Sequence, residues 1–269
     1  MDFRSTNDKN IFDTCKILFV SVRMMNQLHV LTISTNWKEA DQNAYSNHNN
    51  VQLWRINITN QISNLRSLQV ILEPAEISKI QRYQHEKDRQ TRIISRAILR
   101  ILLGRYLSVD PAEIRFNLDN HKKPVLRKFN SVNIHFNVSH SGDWILIGIA
   151  PAPIGVDLEQ INASFIDQNL LDYSFSLSEK EVIQAAINPA TAFYQLWTKK
   201  EALLKATGKG LIDDLPQVPS LDGIHKSPGL IIGSNENWQI VSFKVDENHT
   251  GSAAFIPVKT MLQFFNFQL

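Results

Sequence analysis

The stretch WILIGIAPAPIGVDLE, residues 144–159, decides how the chain is organised. Trp144 to Ala150 is a nearly continuous apolar run of strand length, which reads as a central strand. Pro151 and Pro153 bracket a brief connection, the best candidate for a seam between two domains. Ile154 to Glu159 then resumes as a second strand. On it Asp157 and Glu159 lie two apart and share a face, while Val156 and Leu158 point the other way.

Similar elements stand on both sides of the seam. Upstream, Val51 to Ile58 alternates as a strand, with Val51, Leu53, Arg55 and Asn57 on one face. Pro74 opens a short helix through Ile77 and Ile80 to Tyr83, where proline is tolerated in the first turn. A longer helix is predicted from about Glu86 to Leu107, with Ile94, Ala97, Ile98, Ile101 and Leu102 as its apolar face. Ile114 to Asn117 reads as a short strand, and Asn133 to Val138 as another that runs into Ser139-His140-Ser141-Gly142. Downstream, Ser178 with Glu181 forms a capping-box pattern for a helix through Val182, Ile183 and Ala186. Phe193 to Thr207 is an amphipathic helix stopped by Gly208. Residues 211–237 are loop-rich, and Trp238 to Val245 and Ser252 to Val258 are late strands.

A duplication shows through these elements. Glu76, Ile80 and Gln81 before an arginine-rich helix echo Glu179, Ile183 and Gln184 before a helix rich in lysine and glutamate. The expected fold is therefore α/β (α+β), a pseudo-dimer of two similar halves at 51–152 and 153–269. Residues 1–50 read as an N-terminal extension and linker: Lys16 to Ser34 is apolar enough for a strand or two, but 41–50 is polar and asparagine-rich.

Composition narrows the function classes. With 269 residues, 43% of them apolar, the chain can bury a real core in one or two domains. A net charge of +2 gives no whole-molecule field for nucleic acid or a membrane, so an anion site must come from local clustering. Cys15 is the single cysteine, which excludes an intrachain disulfide framework and a cysteine-rich metal site, and suits a reducing, cytoplasmic setting. No run approaches the ~20 apolar residues of a membrane span, and Ile17 to Val22 is short for a signal-peptide core.

Four groups of residues bear on chemistry. Arg89, Arg92, Arg96 and Arg100 form a row on the long helix, either a solvated face or an anion-binding stripe. No acidic partner interleaves after Asp88, and Lys79 and Arg82 lie nearby, which suggests phosphate. Asp157 and Glu159 repel each other at the edge of a core, and a hard divalent cation would relieve them. By themselves, two solvated acids on a surface strand are the favoured reading. In the helix 193–207, Thr198, Glu201 and Lys205 share a face. Alone, Glu201 and Lys205 are an i, i+4 pair worth about 0.2–0.5 kcal/mol. Set beside Asp157 and Glu159, Glu201 becomes a third carboxylate, and Lys200 and Lys205 supply charge for phosphate, as in metal-assisted phosphoryl transfer. Ser139 and His140 do not make a nucleophile pair, because adjacent residues on a strand point apart and no G-x-S-x-G elbow surrounds them. Their place at a strand end suits contact with a phosphate or a base.

Asn137-Val138-Ser139-His140-Ser141, Gly155-Val156-Asp157-Leu158-Glu159 and Trp197-Thr198-Lys199-Lys200-Glu201 with Lys205 closely resemble, in order and spacing, the motifs of the Sfp-type 4′-phosphopantetheinyl transferases. Lys123-Pro124 and the segment from Arg82-Tyr83 to Arg100 look like that family's first half, so the resemblance covers roughly 51–258. It implies a pseudo-dimer with the active site in the cleft between the halves, and an enzyme of the holo-[acyl-carrier-protein] synthase type. Such an enzyme moves the phosphopantetheine arm of coenzyme A to a serine of an apo acyl or peptidyl carrier protein, releasing adenosine 3′,5′-bisphosphate. Carried over by position, Asp157, Glu159 and Glu201 would hold Mg²⁺. Glu201 would also be the base, directly or through water, and Lys205 would neutralise the leaving phosphate. Lys79, Arg92, Lys123, Ser139, His140 and Lys200 would bind coenzyme A. Glu76 departs from the family, which often has a basic residue there; Arg92 or Arg96 would compensate. The implied protein is a cytoplasmic monomer that uses neither membrane nor nucleic acid. The alternatives are a noncatalytic homologue that docks carrier proteins, and a nucleic-acid or phosphate module using the Arg89–Arg100 face.

Overall fold

Alternation along the apolar runs produces strands that bury both faces, and two stacked sheets result. A computed structural model describes residues 32–46, 49–121, 123–127, 132–164, 167–210, 212–221, 223–225, 229–257 and 261–269. Most of the apolar run 16–34, together with Cys15 and Lys122, lies outside them. The strands are β1 (Thr32–Ile33), β2 (Lys38–Glu39), β3 (Val51–Asn57), β4 (Phe116–Leu118), β5 (Pro124–Leu126), β6 (His135–Ser141), β7 (Trp144–Ala150), β8 (Ile154–Gln160), β9 (Gly223–His225), β10 (Trp238–Lys244), β11 (His249–Phe255) and β12 (Leu262–Asn266). The helices are α1 (Leu65–Val70), α2 (Pro74–Ile80), α3 (Glu86–Leu107), α4 (Gln168–Ser174), α5 (Leu177–Ala185), α6 (Pro189–Thr207) and α7 (Gly229–Ile232). Among the described residues no helix is long and apolar enough to cross a membrane.

One sheet has the order β2-β12-β3-β7-β6; the other has β1-β10-β11-β8, with β9 on β10. On the first sheet Trp54, Ile56, Ile145 and Ile147 face α3 and pack on Ile94, Ala97, Ile98 and Leu102. The alternate residues Val51, Leu53, Leu146 and Ala150 meet Val156, Leu158, Phe243 and Ala253 of the second sheet. Beyond it, Ile240 and Ala254 pack on Ala202, Leu203, Leu204 and Ala206 of α6. The layers are thus helix, sheet, sheet, helix. This is an α+β pseudo-dimer of two halves, each a sheet backed by one long helix. Pro151 and Pro153 sit where the chain leaves the first sheet at β7 and enters the second at β8.

Strand pairing departs from the sequence halves at both ends. β12, from the end of the second half, pairs parallel with β3 and β2 in the first sheet. β1 pairs parallel with β10 in the second. Burial explains β12: Phe264 enters the core between the sheets and Phe265 the core under α3. Nor is 41–50 wholly irregular, because Gln42–Tyr45 forms a 3₁₀ turn capped by Asp41, whose Oδ1 accepts from the Ala44 N–H at 3.0 Å. The capping box of α5 is Ser176 with Glu179, two residues before the expected Ser178 and Glu181.

Gly155 sets the depth at which α6 lies on β8. A Cβ there would overlap the carbonyl oxygen of Ala202 and the amide nitrogen of Ala206, so strand backbone rests directly on helix backbone. Buried hydroxyls continue the seam: Thr198 Oγ1 bonds Ser252 Oγ on β11 at 2.7 Å, and Ser252 bonds Ser242 Oγ on β10 at 2.9 Å. Gly155→Ala forces the helix off the sheet, an overpacking cost of about 1–3 kcal/mol or more. Its thermal midpoint is expected to fall by roughly 5 °C or more in differential scanning calorimetry; an unchanged midpoint would show that α6 is free to shift.

Candidate active site

The site forms where edge strand β6 of the first half runs beside β8 of the second. Backbone pairing does not join them; side chains do. Asn137, Ser139 and Ser141 alternate along β6 and face β8. Asn137 Oδ1 accepts the Val156 N–H at 2.9 Å, Ser139 Oγ donates to Asp157 Oδ1 at 2.9 Å, and Ser141 Oγ donates to Glu159 Oε2 at 3.0 Å. Asp157 is the more deeply buried of the two acids; Val156 and Leu158 point into the core between the sheets. From above, α6 contributes Glu201 and, one turn later, Lys205. Lys205 Nζ donates to Asp157 Oδ1 at 2.5 Å and Ser139 Oγ at 3.2 Å.

The three acids and Lys205 face a cleft of about 740 Å³ between the halves. Lys79, Arg92, Lys123, Ser139, His140, Asp157, Glu159, Glu201 and Lys205, all singled out in the sequence, line it together. Tyr83, Asn137 and Trp197 line it as well. The two-residue spacing of Asn137, Ser139 and Ser141 opposite Asp157 and Glu159 was the available signal for the side-chain ladder.

Lys200 is not part of the cleft. One residue along a helix turns a side chain by about 100°, so it cannot share the face of Glu201. Lys200 is fully buried, with Nζ 2.9 Å from Glu179 Oε2 and a second bond to the Leu215 carbonyl at 3.0 Å. Burial lowers its pKa and Glu179 opposes the shift.

The arginine row also divides. Arg89 pairs with Glu86 at 2.6 Å, and Arg96 with Glu76 at 2.9 Å. Arg100, fully buried, bonds Glu73 and Glu76 at 2.8 Å each and the Ile114 carbonyl at 2.6 Å. The acids for Arg96 and Arg100 come from α2 and its N-cap, whereas Arg89 takes its partner from the first turn of α3 itself. Arg92 lies over the Tyr83 ring at 5.2 Å and makes no ion pair among the described residues. Glu76, the departure from the family pattern, is therefore half of a latch. It has a counterpart in the second half. In α2 the Glu73 N–H donates to Glu76 Oε2 at 3.0 Å, and in α5 the Ser176 N–H donates to Glu179 Oε2 at 2.9 Å. The same oxygens receive Arg100 and Lys200.

Electrostatics favour a cation among the acids. Burial raises the pKa of Glu159 and of Glu201, and the charge of Asp157 raises both further. Asp157 Oδ2 is buried without a hydrogen-bond partner. Lys205 answers only Oδ1. Among the described residues, no three His, Cys, Asp or Glu side chains are drawn into a ready metal cage. The carboxylates thus have the charge, the oxygen chemistry and an orphaned acceptor for a hard cation, with Lys205 meanwhile on Asp157. Opposite, burial and then the charges of Arg92 and Lys205 hold the His140 pKa below the ordinary histidine value, which favours a neutral ring. Burial pulls the Lys123 pKa down to about 8, and its Nζ donates to the carbonyl of Lys205 at 2.6 Å.

Residues 59–152 match the family model described as 4′-phosphopantetheinyl transferase, N-terminal, and residues 153–254 match that of the 4′-phosphopantetheinyl transferase superfamily. The chain is 33% identical over 165 residues to the 4′-phosphopantetheinyl transferase HetI of Nostoc sp., covering 60% of this chain and 70% of that one. This chain belongs to the 4′-phosphopantetheinyl transferase superfamily. A Bacillus subtilis 4′-phosphopantetheinyl transferase is 33% identical over 135 residues, 49% of this chain and 58% of its own length. Sfp of Bacillus subtilis is 30% identical over 142 residues, 52% and 62% of the two chains. The motifs thus sit in an Sfp-type phosphopantetheinyl transferase, and the chain is a transferase.

For this transferase, Lys200→Met removes the cation from a buried carboxylate. The variant is expected to lose about 3–5 kcal/mol in urea denaturation, and adding Glu179→Gln to recover most of it. A fully stable single variant would show that the pair carries no such strain.

Proposed function

We propose that this phosphopantetheinyl transferase moves the 4′-phosphopantetheine arm of coenzyme A to a serine of an apo acyl or peptidyl carrier protein, releasing adenosine 3′,5′-bisphosphate. The observation that carries the reading is the meeting of Asp157, Glu159 and Glu201 with Lys205, Arg92 and His140 in one cleft. The named relatives, Sfp among them, support the Sfp-like branch rather than the holo-[acyl-carrier-protein] synthase subtype that the motifs implied. Family models that meet at 152 and 153 support treating 51–152 as the nucleotide-binding half and 153–269 as the half with the acids.

Asp157, Glu159 and Glu201 would hold Mg²⁺, which supplies charge neutralisation on the pyrophosphate when bound. The carrier serine oxygen bonds to the phosphorus that bears the pantetheine, and the bond from that phosphorus to the adenosine-side phosphate oxygen breaks. Glu201 takes the serine proton, directly or through a water; burial gives its carboxylate a raised proton affinity suited to that task. Lys205 reaches the cleft from a partly exposed position and neutralises the departing phosphate. Lys79, Arg92, Lys123 and His140 grip the nucleotide and its 3′-phosphate. Ser139 serves the acids instead, because its hydroxyl proton goes to Asp157, and Lys200 serves stability.

In-line displacement at phosphorus asks mainly for positioning and charge, so the lack of an enzyme nucleophile in the assignment is no obstacle. A nucleic-acid role for the arginine face finds little support, since Glu73, Glu76 and Glu86 neutralise three of its four arginines. A cytoplasmic monomer is the setting that the single cysteine and the internal pseudo-dimer support.

Incubation with coenzyme A, Mg²⁺ and apo carrier protein, read by intact mass, is expected to add one phosphopantetheine arm to the carrier. Asp157→Ala and Glu201→Gln are expected to abolish the gain while folding normally. No gain with any of several apo carriers sinks the transfer reading, and an undiminished gain in both variants sinks the metal assignment. Lys205→Ala is expected to lower kcat more than it raises KM, at least roughly tenfold; the reverse split makes it a ground-state binding residue.

A further inference from the structure

Ser141 has no role in the reaction assigned so far, yet its hydroxyl is fully committed at the edge of the acid cluster. Its Oγ accepts the backbone N–H of Gln160 at 3.0 Å and lies 3.0 Å from Glu159 Oε2. A serine hydroxyl carries one proton. With the amide on a lone pair, that proton is directed to Glu159. Glu159 Oε2 is thereby held against β6, while among the described residues Oε1 accepts no hydrogen bond. Asp157 repeats the arrangement two residues earlier: Ser139 and Lys205 take Oδ1, and Oδ2 is left buried and unpaired. One serine per carboxylate thus ties down one oxygen and frees the other. The anchor is rigid, because Gln160 also pairs with His249 of β11 on its other side.

We propose that Ser141 is a positioning residue that presents Glu159 Oε1 to the divalent cation. This rests on the reading above that Glu159 is one of the cation's ligands. Partners that orient metal-binding carboxylates contribute roughly 10- to 100-fold to metal affinity, and a carboxylate released from Ser141 would rotate in the open cleft.

The test is Mn²⁺ binding by electron paramagnetic resonance, using the full chain with coenzyme A present and no carrier protein. Ser141→Ala is expected to bind Mn²⁺ roughly tenfold more weakly than wild type, with Ser141→Thr restored to about twofold of it. Ser141→Cys keeps the bulk with a poor donor, and is expected to match Ser141→Ala, which guards against a folding defect in the smaller variant. Equal affinity in wild type, Ser141→Ala and Ser141→Cys overturns the positioning role. So does failure of Ser141→Thr to recover binding. If wild type transfers the arm but binds no Mn²⁺, the metal reading itself fails.

Discussion

The direct contact of β8 with α6 at Gly155 is the constraint on which the site depends. Strand and helix can lie this close only where no Cβ intervenes. Their depth sets the distance between acids on different elements, Asp157 and Glu159 below and Glu201 above. Because Lys205 follows Glu201 by one turn, the same contact brings its ammonium onto Asp157. A helix held farther out by one methyl group would separate the charges that the chemistry needs together.

Two buried latches hold the long helices that flank the cleft. In each half a short helix begins with a capping glutamate, and that carboxylate reaches a fully buried cation on the long helix: Glu76 to Arg100, Glu179 to Lys200. Caps are worth about 1 kcal/mol each. Buried ion pairs, by contrast, contribute little net stability unless every group is satisfied. Here backbone N–H groups and carbonyls complete the shells, so the latches specify where the helices sit. The acids of the cleft stand in contrast. They are clustered, partly desolvated and incompletely satisfied, and the raised pKa values of Glu159 and Glu201 record that imbalance. The fully buried charges Arg100 and Lys200 serve the fold, and the incompletely satisfied acids face the cleft.

Much of this was legible in the chain. Alternation placed β3 and β8 closely, a continuous apolar run placed β7, and the 3.6-residue period placed the apolar faces of α3 and α6. The Glu76 and Glu179 echo marked the repeat. Within one element these periods decide which side chains share a face, so Asp157 with Glu159, and Glu201 with Lys205, could be paired without knowing the fold. What local period does not contain is the partner across space. The acids for Arg96 and Arg100 lie some twenty residues away on α2, so the arginine row looked unopposed. Lys200 looked like a phosphate ligand by its nearness to Glu201, although a step of about 100° turns it into the core.

The sequence by itself thus determined the two-half α+β architecture, the family and the residue types of the site, because those follow from periodicity and motif order along the chain. Tertiary structure alone decided which charges remained for the cleft. Packing of α2 on α3 and of α5 on α6 buried Arg100 and Lys200 away from the cleft and left Arg96 at its wall already paired with Glu76, and β12 crossed back into the first sheet because Phe264 and Phe265 each had a core to fill. The run of β6 beside β8 likewise committed Ser139 and Ser141 to the acids. A side chain's face is a local property, but the group it meets depends on how the layers close.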